Sequence, residues 1–186
     1  MHADQYLREV ADIAEKIDSG AVERLAVALH GVRALKGRVF VIGLGGSLAN
    51  ADHAAADLRK LCEIEAQSPN IPELTAWMND AGQKNAFIGH LFWMRENDVV
   101  LILSVGGGTE NVSQAISLVA FGCRSRKVPV YAIVGPEGGS AAAYADIAIK
   151  VPAAGARVTP HTEAFQAVIW HCLVSHPLLQ MNPTKW

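Results

Sequence analysis

A chain of 186 residues, 51% hydrophobic and 18% charged, has the length of one domain and can bury a substantial core, which excludes a disordered or collagen-like chain. Sixteen basic residues face 18 acidic ones, with a pI near 6.4 and a mean hydropathy of +0.19. Such a balance leaves no electrostatic footprint for a nucleic-acid backbone, and the apolar character points to cover by a partner chain.

In chain order, the first 16 residues carry Asp4, Glu9, Asp12 and Glu15, unlike a signal peptide. Apolar residues recur at three- and four-residue intervals from Gln5 to Leu35, with a break at Ser19-Gly20, which predicts two helices. Val39-Phe40-Val41-Ile42 is a short run apolar on both faces, as a central parallel strand requires. Gly43 ends it, and Ser47 is expected to cap an Ala-rich helix to Cys62. Asn70–Asn79 reads as a short strand, 83–94 as a helix and Val99–Ser104 as a second apolar strand. A helix is expected over 110–122, strands over 128–134 and 147–151, and a final helix over about 163–174, apolar on most sides. Strand, glycine turn and helix in repetition predict an open parallel α/β sheet in a single domain, residues 1–186, with helices over 1–36 and the sheet core and C-terminal helix over 37–186.

The most apolar stretch, Val99–Val105, is far shorter than the roughly 20 residues of a membrane span. Cys62, Cys123 and Cys172 are odd in number and lack metal-type spacing, so reduced thiols and no disulfide are expected. These readings predict a soluble, cytoplasmic protein with neither a membrane nor a nucleic-acid partner.

Gly43-Leu44-Gly45-Gly46-Ser47 lies between a strand and a helix, where glycines admit a ligand and the helix presents free N–H groups suited to phosphate. A tight turn that binds nothing is the structural alternative. The sequence departs from G-x-G-x-x-G at Leu48, which weakens a dinucleotide reading. Ser104 to Asn111, with Gly106, Gly107, Gly108 and Thr109, repeats the geometry; Thr109 can also serve as a helix cap. Two such turns on neighbouring parallel strands mark the ligand edge of an open sheet and suit a phosphorylated small molecule. His53 and Asp57 share a helix face at i and i+4, and Glu163 and His171, eight apart, share another. If the two helices meet, these four can hold Zn²⁺ or a similar ion; otherwise each is an ordinary surface or core residue.

Together these residues resemble the sugar isomerase domain proteins of the phosphoheptose isomerase type, from the N-terminal helices to about His171. The landmarks are Gly43 to Ser47 followed by His53, Leu74-Thr75-Ala76 with Asn79-Asp80, Asp98 to Leu101 leading into Ser104 to Asn111, and Gly138-Gly139 before Ala145-Asp146. The resemblance implies a flavodoxin-like parallel sheet flanked by helices. It also implies a homotetramer with active sites between subunits, the N-terminal helices serving assembly, and isomerisation of sedoheptulose 7-phosphate to an aldoheptose 7-phosphate.

In that family a His, a Glu four residues on, a Gln and a His eight residues on surround the sugar carbons, and in some members bind zinc; the matching positions are His53, Asp57, Glu163 and His171. Asp57 and His171 are the implied proton-transfer groups. Gly45, Gly46, Ser47, Ser104, Gly106, Gly107, Gly108, Thr109 and Glu163 are the implied substrate and phosphate contacts. Several positions depart from the family pattern. Leu44 replaces an Asn, Leu61 an Arg and Asn70 an Asp, and Val105 and Gly106 remove two hydroxyls from the phosphate turn, which predicts weaker phosphate binding. Asp57 retracts its carboxylate by about 1.5 Å relative to Glu, and Glu163 adds a charge where the family has Gln. The resulting site charge of about −2 calls for a divalent cation. The alternatives are a non-catalytic sugar-phosphate-binding or regulatory protein of the same fold, or an isomerase of another phosphosugar.

Overall fold

The structure, a computed structural model, describes residues 1–185. Helices α1 (His2–Lys16) and α2 (Ser19–Ala34) lead into β1 (Arg38–Ile42), α3 (Gly46–Cys62) and β2 (Glu65–Gln67). Helices α4 (Ile71–Ala81) and α5 (Ile88–Phe92) precede β3 (Val99–Ser104) and α6 (Gln114–Ser125). Then come β4 (Val130–Val134), α7 (Gly139–Tyr144), β5 (Ile147–Lys150) and α8 (Val158–Val174). The sheet is wholly parallel in the order β2-β1-β3-β4-β5, so the chain direction across the sheet reverses between β1 and β3.

Alternation along the strands divides two cores. Val39, Val41, Leu101, Leu103 and Ile133 face α2, α3 and α8, whereas Phe40, Ile42, Val100, Ile102 and Ala132 face α4 to α7. Burial on both faces is why these strands read as continuous apolar runs. Leu61 belongs to the first core. Among the described residues no helix is long and apolar enough to cross a membrane.

Several elements differ from the sequence expectation. Residues 71–81 form a helix, not a strand: Asn70 accepts a hydrogen bond from Glu73 N–H at 2.9 Å, and Pro72 occupies the first turn, where its missing N–H costs nothing. The segment 83–94 is a 3₁₀ turn, Gln83–Asn85, followed by the five-residue α5. Gly89 there lies against Trp77, whose Nε1 would be 2.3 Å from a Cβ. Ser47 lies inside α3 rather than capping it; the cap is Gly45 at φ +59°. Helix α6 begins at Gln114 because Thr109 to Val112 close a separate loop, with Thr109 N–H donating to Val112 C=O at 2.8 Å. Helix α8 starts at Val158, five residues earlier than expected, since Pro160 is compatible with a first helical turn.

Helix α1 buries only Ile13 and is fastened by Glu9, which accepts from Arg157 Nε at 2.7 Å and lies 2.8 Å from His161 Nε2. The Arg157 hydrogen bond, with that of His161, holds the Glu9 carboxyl down at about 2. Beneath the sheet, Asp98 is buried against Arg38 at 2.6 Å. Burial alone would raise Asp98, but hydrogen bonds from the Arg38 side chain and from the backbone N–H groups of Arg95 and Arg38 override it and hold it below the usual carboxylate range. A carboxyl depressed in the folded state stabilises fully above its unfolded value, near pH 4, and that contribution is lost as pH falls through the folded value. Asp98→Asn leaves the Arg38 charge uncompensated, so urea denaturation at pH 7 should show a loss of about 3–5 kcal/mol that narrows below about pH 4. A loss under about 1 kcal/mol at pH 7 would contradict this role for the pair.

Candidate active site

The two glycine turns emerge side by side from β1 and β3, which pair in parallel register with Ile42 opposite Ile102. In the first turn Gly43 allows close approach: a Cβ there would lie 2.4 Å from Ser47 C=O and 3.0 Å from Leu103 C=O. Ser47 is buried, and its hydroxyl accepts from Gln166 Nε2 at 3.1 Å. Gln166 Oε1 accepts from Asn50 Nδ2 at 2.8 Å, and the same Asn50 amide donates to Glu163 C=O at 2.9 Å. This network stitches the start of α3 to the middle of α8, and the two helices run parallel from there.

In the second turn Ser104 Oγ accepts the Gly107 N–H at 3.1 Å. Gly107 and Gly108 have φ of +69° and +77°, and their carbonyls accept from Ala141 N–H at 2.8 Å and Ser140 N–H at 2.9 Å. The turn thus leans on the start of α7, while Gly106 stays exposed. Thr109 is not a helix cap; its Oγ1 accepts from Val112 N–H at 3.0 Å. A cavity of about 320 Å³ lies between the turns, lined by Leu44, Met78, Gln83, Lys84, Asn111 and Ser113 among others. Lys84, absent from the sequence expectation, brings a cation to this cavity from an exposed 3₁₀ turn that no periodicity marks.

Three of the four expected ligands come together. His53 Nε2 lies 3.4 Å and His171 Nε2 3.6 Å from Asp57 Oδ2, and the three ligand atoms fall within 4.8 Å of one another. The imidazole side chains are 57% and 53% exposed, whereas Asp57 is 16% exposed. Glu163 stands elsewhere, its carboxylate oxygens 2.6 Å from where a Cβ on Gly46 would be. Eight helical residues separate Glu163 from His171 by about 12 Å along α8, so the pair shares a side of the helix without sharing a ligand sphere.

Two imidazoles and one carboxylate suit a divalent cation: tetrahedral zinc at about 2.0–2.1 Å from N and O ligands places those ligands about 3.3 Å apart, near the two spacings of 3.4 and 3.6 Å from the imidazoles to Asp57. Cys62 and Cys123 are buried, which pushes their thiols up to about 11 and about 12 and leaves them inert at neutral pH.

An open parallel sheet with its ligand turns at the strand reversal and a polar cluster between α3 and α8 defines a flavodoxin-like α/β protein with a small-molecule site. No protein-family model matches the chain. It is 30% identical over 179 residues to the phosphoheptose isomerase of Sulfurimonas denitrificans, covering 91% of this chain and 85% of that one. It is 28% identical over 178 residues to the phosphoheptose isomerase of Syntrophotalea carbinolica, covering 89% and 87%. The solved phosphoheptose isomerase of Neisseria gonorrhoeae shares the fold, with a TM-score of 0.80 at 23% identity over 93% of this chain and 92% of that one. The chain belongs to the phosphoheptose isomerase family.

The close contact between the second turn and the loop before α7 gives a test. A Cβ at Gly107 would lie 1.8 Å from Gly138 C=O at a positive φ, so Gly107→Ala should destabilise by about 2–4 kcal/mol in urea unfolding. Wild-type stability in that variant would show that the second turn does not pack on Gly138 this way.

Proposed function

We propose that this chain interconverts sedoheptulose 7-phosphate and an aldoheptose 7-phosphate, a proton passing between C1 and C2 through an enediol. The observation that carries this reading is the convergence of His53, Asp57 and His171 alongside two glycine turns at the strand reversal. Helix geometry puts His53 about 10 Å and Asp57 about 16 Å along α3 from Gly46.

The glycine run at 106–108, with Ser104 and Thr109, is the phosphate-binding turn, and main-chain donors replace the hydroxyls lost at Val105 and Gly106. Gly45, Gly46 and Ser47 form the near wall of the cleft, Ser47 through its backbone. His53, Asp57 and His171 would hold one Zn²⁺, which would supply Lewis-acid polarisation of the sugar carbonyl. Asp57 and His171 are the proton-transfer groups of the cluster. Ligation limits their basicity, and Glu163, at the first turn, is the further ionisable group positioned to accept from sugar hydroxyls or to move a proton. The protein works as a cytoplasmic homotetramer of single-domain subunits. The exposed Leu7, Val27 and Leu35 of the N-terminal helices supply apolar surface for assembly, and the half-exposed imidazoles gain cover from a neighbouring subunit.

Purified protein should contain about one Zn²⁺ per chain and turn over sedoheptulose 7-phosphate in a chelator-sensitive manner. His171→Ala should lower kcat by about 10²–10⁴-fold. Full activity in that variant would overturn the assignment, and absence of turnover in metal-replete wild type would overturn the substrate.

A further inference from the structure

Trp170 adjoins His171 on α8 but points its polar atom at the other helix. It is 3% exposed, and its indole N–H donates to Asp57 Oδ2 at 3.3 Å. That oxygen is the one both imidazoles face, His53 Nε2 at 3.4 Å and His171 Nε2 at 3.6 Å. The indole ring is flanked by both of them, with centroids 5.3 Å from His53 and 4.8 Å from His171.

We propose that Trp170 is a positioning residue: its indole N–H fixes the short Asp57 carboxylate between His53 and His171 and thereby sets the affinity of the cluster for a divalent cation. The inference rests on the metal reading above and adds a residue to it. An aspartate on a helix reaches one methylene less far than a glutamate, and its carboxylate turns about a soft terminal torsion. Unless something holds it, that freedom is lost on binding and weakens the site. The indole supplies the hold. Indole is a donor only, so it cannot compete with Asp57 for the cation. A carboxylate oxygen has more than one acceptor direction, so the hydrogen bond leaves another direction for the metal. The ring is buried in the first core, so the donor is set before any ion arrives.

The test uses the full chain. The Zn²⁺ dissociation constant is measured by competition with a chromophoric chelator, and the Co²⁺ form by its visible absorption, for wild type and Trp170→Phe. A second variant carries a benzothienyl analogue of tryptophan at position 170 alone, which keeps the ring volume and replaces the N–H with sulfur. The expected result is about 10–100-fold weaker Zn²⁺ binding in both variants, with an altered Co²⁺ spectrum. If the benzothienyl variant folds and binds Zn²⁺ within about threefold of wild type, Trp170 contributes packing alone and the proposal fails. If wild type itself binds no Zn²⁺, the metal reading fails and takes this proposal with it.

Discussion

Small side chains on one face of α3, Ala51, Ala54 and Ala55, allow the bulky side chains of α8, Phe165, Ile169 and Trp170, to share a single core with them. The polar pairs Ser47–Gln166 and Asn50–Gln166 fix the axial register of this contact, because buried polar groups must find their partners and only one register provides them. Once that register is set, two poles follow. Glu163 meets Gly46 at the start of α3, and two turns further on His171 and Trp170 meet His53 and Asp57. A larger residue at Ala54 or a lost amide at Gln166 would shift both poles together, although neither residue belongs to either pole.

The sheet determines where those poles open. Parallel strands send every β-to-α turn to one edge, and the reversal between β1 and β3 parts the helices on either side, leaving room there for a ligand. The second turn gains rigidity by giving its carbonyls to the start of α7, at the expense of glycine at Gly107 and Gly108, where φ is positive and a Cβ would meet backbone.

The elements most legible in the sequence were those whose pattern is local and strong. Strand β3 coincides with its expected bounds because both its faces are buried, and the first glycine turn lies where the strand signal ends. The region 70–94 was misread. Its helix start rests on Asn70, Pro72 and Glu73, a capping pattern that the expected strand over Asn70–Asn79 leaves out of account. Strand β2 has one buried residue, Ala66, too little for any periodicity to register. At the site, helical spacing pairs His53 with Asp57 and Glu163 with His171, and the family pattern points to the same four residues, three of which come together. The eight-residue spacing puts Glu163 and His171 on one side of α8 but about 12 Å apart along it, which keeps Glu163 out of the ligand sphere. Trp170 carried no signal, because an aromatic on an apolar helix reads as core until its N–H is seen to have a partner.

The central claim is that α3 and α8 together build one metal centre from two imidazoles and a carboxylate. X-ray absorption at the zinc edge of the loaded protein tests it most directly. The account predicts N and O neighbours at about 2.0–2.1 Å with the multiple-scattering pattern of two imidazoles. A sulfur shell at about 2.3 Å, or a spectrum without imidazole, would place the metal elsewhere and contradict it.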